Sequence, residues 1–439
     1  MATDSSGNVY VAGYFSGINV NLDPGGSDIH SSNGGDDVFI SKFNSSGVFQ
    51  WTRTWGGEGF DDGTGVATDG SGNVYVTGYF NGTDVNFNPD GSDLHSSNGV
   101  RDIFISKFNS NGTFQWARTW GGTGDESGAG VAADISGNTY VTGYFNGADV
   151  NFNPDGSDLH SALGQSDIFL SKYDSSGAFV WALTWGGADF DNGYAVATYG
   201  SDIVYVAGKF RGANVNLNPG GSDIHNSHGG CDAFVSEFNS NGVFQWAHSW
   251  GGTSYDFTYG VAADSSGNAY VTGMFQGTNV NLNPDGSDLH FSNGFGDVFL
   301  IKFNPGGVFQ WARTWGGTGY EEGRGVAPDS SGSVYVTGSF DGTNVNFDPD
   351  GWSLHSSNGS ADYFISKFDS DGVFKWARTA GGTMQDQGRS AATDNSGNVY
   401  ITGYFYGTDI DFDPDGSDLH SSNGDGDVFF SKFLPGGYW

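Results

Sequence analysis

The chain has 439 residues, rich in glycine (75) and in aromatic side chains (36 Phe, 20 Tyr, 13 Trp), and carries a formal charge of −34. So acidic a surface repels phosphate backbones, which excludes nucleic acid as an expected partner and leaves a cation or a basic surface. A single cysteine, Cys231, excludes a disulfide framework and a cysteine metal site, and no run of about 18 apolar residues is present to insert a helix in a membrane. The opening residues MATDSSGNVY show no charged head, apolar middle or cleavage site, so no signal peptide is visible.

One repeat organises everything. The phrase GYF at Gly13–Phe15 returns at Gly78, Gly143 and Gly403, with edited copies at Gly208, Gly273 and Gly338, always 65 residues apart. Abundant aromatics and strict order exclude a disordered glycine-rich chain. The units run 1–65, 66–130, 131–195, 196–260, 261–325, 326–390 and 391–439, in one domain with no linker.

Within the second unit, four β-prone runs follow in chain order: GVATD, NVYVTGYF, DIFISKF and FQWARTW. DGSGN joins the first two and NSNG the last two, with Gly and Asn supplying positive φ for tight hairpins. No run has helical periodicity. Four short antiparallel strands repeated seven times predict an all-β, seven-bladed β-propeller. Trp116 and Trp120 alternate toward one face and are expected in the packing between blades, while the small first run suits crowded packing. The last unit stops at SKFLPGGYW, so its blade is expected to lack the fourth, outer strand. Its open edge invites self-association, by strand addition between subunits.

DGSGNVYVTGY followed by DIFISKFNSNG and an aromatic strand ending in GG resembles the bacterial SBBP-type β-propeller repeat, and the layout is similar to the NHL repeat. The resemblance covers the whole chain. It departs in the long insert NGTDVNFNPDGSDLHSSNG between strands two and three. It implies secreted or surface-exposed proteins, largely without assigned activity, and brings no catalytic residues. A thiol-poor, Asn/Gly/Ser/Thr-rich chain is compatible with that location.

The insert ends in DFDPDGSDLH in the final copy. Alternating acids followed by glycine read as an oxygen-ligand loop for calcium: Asp411, Asp413 and Asp415, with Asp418 as an extra candidate. The next-best copies are Asn346, Asp348 and Asp350, then Asn86, Asn88 and Asp90 with Asp93. The bidentate Glu at the twelfth position is missing, since Ser422 stands there. The competing reading is a β-turn, because NPDG places Pro second and Gly fourth, and Asn or Asp caps its own backbone. The in-register histidines, His30 to His420, are each alone in a unit and read as local hydrogen-bonding devices. The repeated Lys of SKF and Arg of WART are expected to neutralise acids between blades.

No Ser/His/Asp constellation or phosphate-cradling loop is present. Cys231, Glu237, Leu183, His248, Trp352 and Ala380 depart from the repeat at scattered registers. Paired acids such as Asp61–Asp62 and Glu321–Glu322 would point apart in an extended chain, whereas a glycosidase needs two facing carboxylates. The expectation is therefore no enzyme. Three functions stay open: an extracellular scaffold or adhesion module stiffened by calcium and docking a surface protein, a multivalent lectin binding glycan through Tyr14, Tyr79 and Tyr144, and a self-assembling subunit.

Overall fold

The computed structural model describes residues 1–413 and 417–439. Among these residues there is no helix, and the fold class is an all-β, seven-bladed β-propeller with one blade per repeat. In the third blade, Ser127–Ala133, Thr139–Phe145, Asp167–Tyr173 and Phe179–Trp185 pair antiparallel in chain order. The first strand thus opens ahead of the unit boundary at 131, because the residues before the small run also pair. The seventh blade has three strands, Gln387–Thr393, Val399–Phe405 and Asp427–Phe433.

Local chemistry sets the turns. Between the first two strands of the third blade, Asp134 Oδ1 accepts the backbone N–H of Ser136 (2.8 Å) and of Asn138 (3.0 Å), and Gly137 takes a φ of 79°. This is an Asx turn, and an L side chain at Gly137 would be strained there. Asn109 does the same between the third and fourth strands of the second blade. The insert folds on itself as a two-stranded hairpin, Val85–Asn86 against Leu94–His95 in the second repeat.

The chain forms two compact units. One comprises Met1–Val206, Gly212–His225 and Phe238–Gln245, and the other Ala207–Arg211, Asn226–Glu237 and Trp246–Trp439. The first contains blades one to three and the second blades five to seven, and the fourth repeat contributes to both.

In the first unit, the third strands are buried along their whole length, and the last tryptophan of each blade enters the next. Trp55 packs on Phe104 and Phe108, and Trp120 on Phe169 and Tyr173, so these rings are core as expected. The second unit repeats this with Trp315 on Phe364 and Phe368.

The repeated cations do more than expected. Lys42 Nζ donates to the carbonyl of Ser110 (2.8 Å) and Arg53 Nε to that of Gly112 (2.9 Å), both in the turn of the following blade. Lys107 and Arg118 repeat this on Ser175 and Gly177. The repeated arginines also reach acids of the following repeat, Arg53 to Asp90 at 3.8 Å, Arg118 to Asp155 at 3.9 Å and Arg313 to Asp350 at 4.0 Å, and Lys367 lies 3.7 Å from Asp329. Turn carbonyls enclosed between blades need donors, and long cationic side chains reach them. The repeated cations therefore do both: they face acids between blades, as expected, and also tie their own strands to the backbone of the next blade's turn.

Candidate functional site

The acidic loop is built as a turn. Asn86 Oδ1 accepts the N–H of Asn88 (3.1 Å) and of Asp93 (2.9 Å), while its Nδ2 donates to the carbonyls of Asn88 (3.1 Å) and Gly91 (3.0 Å). Asn88 Oδ1 in turn accepts the N–H of Asp90 (3.1 Å). Asn346, Asp348 and Asp350 repeat the pattern, with Asn346 donating to the carbonyls of Asp348 and Gly351. Asp411 Oδ1 accepts from Asp413 (3.1 Å) and Asp418 (2.9 Å), and Asp415 lies outside the described residues. The first two side-chain oxygens of the Asn86 and Asn346 loops, and that of Asp411 in the last, are thus engaged by backbone N–H groups, and a calcium ion would compete with those bonds. Among the described residues no three His, Cys, Asp or Glu side chains converge. Melting the protein with millimolar calcium and again with a chelator checks the loop: equal midpoints are expected of a turn, and a calcium-dependent rise would make it a ligand set.

The histidines serve the same hairpin. His95 Nδ1 lies 2.9 Å from Thr119 Oγ1 on the fourth strand, Asp93 approaches Nε2 at 3.4 Å, and Phe87 meets the ring edge-on at 5.2 Å. His30, His160, His290 and His355 repeat the bond to the threonine 24 residues on and tie insert to blade, the local device expected, while His420, whose blade has no fourth strand, meets Asp418 and Phe412 of its own insert.

The deviations singled out in the sequence prove to be mainly packing changes. Cys231 and Ala380 are buried, Glu237 accepts the Trp246 indole N–H (2.9 Å), and His248 stacks on Phe303 with Nε2 2.7 Å from the Gly307 carbonyl. Trp352 is the exposed one.

A different register gathers variation. The residue opening each first strand is Asp62, Ser127, Asn192, Phe257, Glu322 or Gln387, and two residues on stand Thr64, Ala129, Tyr194, Tyr259, Arg324 and Arg389. Across the ladder, Asp62 pairs with Tyr79, Phe257 with Met274 and Glu322 with Ser339, in a register that is tyrosine in four copies. The loops before strands three and one meet alongside, as the bridge between Arg101 and Asp125 shows. Repeat-against-repeat comparison could have found this register, whereas a search for known motifs could not.

In the first unit this register makes a closed network. Arg101 forms two hydrogen bonds with the Asp125 carboxylate (2.5 and 2.7 Å), donates to Tyr144 OH (3.0 Å), and lies 4.4 Å over the Tyr79 ring, whose hydroxyl donates to Asp62 (2.5 Å). Burial raises the Asp62 carboxyl pKa, and the Tyr79 hydrogen bond offsets part of that. Of the three tyrosines expected to bind glycan, only Tyr14 is strongly exposed (55%).

In the second unit the register is more open. Arg324 holds Glu322 through Nε (2.6 Å) and Nη2 (3.0 Å) and covers the Tyr259 ring at 4.4 Å. Gln387 and Ser339 also donate to Glu322. Tyr320 OH reaches Met274 Sδ at 2.8 Å, and burial with the nearby Glu322 charge pushes that hydroxyl up to about 12. Beside it, the rings of Tyr255, Phe257 and Tyr259 follow at 6.1 and 5.7 Å, with Lys209 Nζ 5.4 Å from Phe257. Tyr255 is 49% exposed and Tyr320 39%. Ring faces with fixed donors and acceptors at their edge suit a ligand that is apolar on one face and polar at its rim.

Residues 245–279 match the family described as SBBP, β-propeller repeat. An uncharacterized WD repeat-containing protein of Acanthamoeba polyphaga mimivirus is 25% identical to this chain, over 94% of it and 35% of the relative. Regulatory protein FlaEY of Caulobacter vibrioides is 30% identical over 34% of this chain and 15% of its own length. The chain therefore spans 35% or less of these curated relatives. Among solved structures, a gluconolactonase from Xanthomonas campestris is 12% identical with a TM-score of 0.32, covering 75% of this chain and 86% of that one. A glucose dehydrogenase is 10% identical with a TM-score of 0.33, covering 71% and 92%. These neighbours correct the expectation of no enzyme. At 10–12% identity they bring no reaction to this chain.

Proposed function

We propose that this β-propeller repeat protein is a surface-displayed binding scaffold whose ligand site is the patch of Tyr255, Phe257 and Tyr259 with Arg324 and Glu322. The observation that carries the reading is the contrast within the chain. Strands, turns and inserts are near copies, while the opening of the first strand differs in every repeat, from Asp62 to Gln387. Packing needs alone would favour the same residue in each blade, as they do at Trp55, Trp120 and Trp185. The acidic, thiol-poor composition and the SBBP resemblance support a place outside the cell or on its surface.

The ligand class that fits is a glycan, because sugar rings offer an apolar C–H face to aromatic rings and hydroxyl groups to Arg324, which the buried Glu322 holds in place. Titrating neutral and acidic oligosaccharides into the whole chain tests this by calorimetry. Tyr255→Ala is expected to weaken binding about tenfold, roughly 1.4 kcal/mol, and Tyr14→Ala to leave it unchanged. Binding that ignores Tyr255, or no binding by any glycan, would overturn the assignment.

A further inference from the structure

Each seam between consecutive blades within a unit buries two carboxyl groups together. In the first unit the pairs are Asp37 with Asp61, Asp102 with Glu126, and Asp167 with Asp191. In the second they are Asp232 with Asp256, Asp297 with Glu321, and Asp362 with Asp386. The first member opens the third strand of one blade and the second immediately precedes the first strand of the next. None of the twelve is more than 2% exposed.

A glycine lets the pair meet. A side-chain carbon built on Gly56 would lie 2.5 Å from Asp37 Oδ1 and 2.9 Å from Asp61 Oδ2, and one on Gly186 2.7 Å from Asp167 Oδ1 and 2.9 Å from Asp191 Oδ2. The same holds at Gly316 for Asp297 (2.7 Å) and Glu321 (2.8 Å). The rest of each carboxylate is wrapped in donors. Asp61 accepts the N–H of Gly57 (2.6 Å) and Asn81 (3.1 Å), and Asp37 Oδ2 accepts the backbone and side-chain N–H of Asn33 (3.2 and 3.1 Å). Yet Asp37 Oδ1, Asp167 Oδ1 and Asp362 Oδ1, each turned toward the seam glycine, have no hydrogen-bond partner, while the orphaned Glu126 Oε1 and Glu321 Oε1 lie away from it, beside Gly124 and Gly319. A dry oxygen without a donor beside a second carboxylate is costly. The hydrogen-bond partners these carboxylates do have are N–H groups, the wrong polarity to complete a cation's shell, whereas one hydrogen would satisfy the orphaned oxygen.

We propose that at the Asp37, Asp167 and Asp362 seams one proton is shared between the two carboxyl groups, so that the blades within a unit grip most firmly in mildly acidic solution and loosen as it turns alkaline. Burial, the largest cause, pushes Asp37 and Asp61 up to about 6, Glu126 and Asp297 to about 7 and Glu321 to about 8, and the like charge of the partner adds to Asp61, Glu126 and Glu321. The other groups facing these pairs are mostly acids: Asp36 and Asp62 at the first seam, Asp125 beside Glu126 and Asp341 beside Glu321. Arg101 faces Asp62. His228 differs, standing 2.9 Å from Asp232 and lowering it against burial, which makes that seam the weakest contributor. Because the folded values lie above the unfolded value near 4, the stabilisation is complete below about pH 4 and is lost as pH rises through about 6 to 8.

The test is a set of melts of the whole chain from pH 4.5 to 9 in chelator, repeated with calcium. The midpoint is expected to fall between pH 6 and 8, with protons released on unfolding, seen as a dependence of the calorimetric enthalpy on buffer. General repulsion in so acidic a chain has the same sign, so variants separate the causes. Asp37→Asn, Asp167→Asn and Asp362→Asn supply a permanent hydrogen and should each flatten the fall and raise the midpoint at pH 8.5. Variants that track the parent across pH would overturn the proposal. So would a rise of the parent's midpoint with calcium at pH 8 that the Asn variants lose, since that would make the pair a cation site. Absence of proton release from the parent would do the same even if the variants did not fold.

Discussion

Gly143→Ala is expected to cost about 3 kcal/mol or more, at the upper end of overpacking effects, read as a lowered denaturation midpoint at unchanged slope. A side-chain carbon at Gly143 would sit 1.9 Å from the carbonyl oxygen of Ser127 and 2.8 Å from the Phe169 ring. Neither can withdraw. The carbonyl belongs to the first strand, next to the register shift between Gly128 and Gly130, and Phe169 is fully buried. The equivalent glycines, Gly78, Gly273, Gly338 and Gly403, show the same approach at 1.8 Å, which explains why the GYF phrase keeps its glycine through every edit. Gly70→Ala is the control. Its nearest neighbour would be 3.9 Å away, so the midpoint should stay within about 0.5 kcal/mol of the parent.

Trp120→Ala is expected to remove about 3–5 kcal/mol, the range for deleting a large buried ring. Trp120 is 3% exposed and joins two blades, meeting Tyr173 at 5.1 Å and Phe169 edge-on at 6.5 Å. Its indole sits among Val141, Val150 and Phe152 in the same cluster. The cavity would open at a seam, where flanking strands are held by their own ladders and cannot close in. Trp120→Phe should recover much of the loss, because it keeps a ring against Tyr173. If Trp120→Ala instead costs under about 1 kcal/mol, the seam is not held by these rings, and the packing account of the repeated tryptophans fails.

Both arguments show how much was legible before any coordinates. The hairpin turns were readable because Asp134 or Asn109 with Gly137 or Gly112 acts over a few residues. The blade followed from alternation in DIFISKF and FQWARTW, and the seven-bladed class from counting. The turn character of the acidic loop was readable too, since the Asn86 side chain bonds within its own hairpin. Asp61 could be found in the sequence as an acid beside another acid. That it faces Asp37 instead of standing alone was invisible, because the two meet only when consecutive blades pack.

The sequence by itself determined the repeat, the strands, the turns and the propeller class, all consequences of contacts between residues near in the chain. Tertiary structure alone decided which of the many acids are dry and paired, where the repeated cations end, and that the most variable register forms clusters around Arg101 and Arg324. The physical reason is common to all three. A side chain's charge, partner and exposure depend on what a neighbouring blade places against it, and alternation along one strand carries no record of the strand that will cover it.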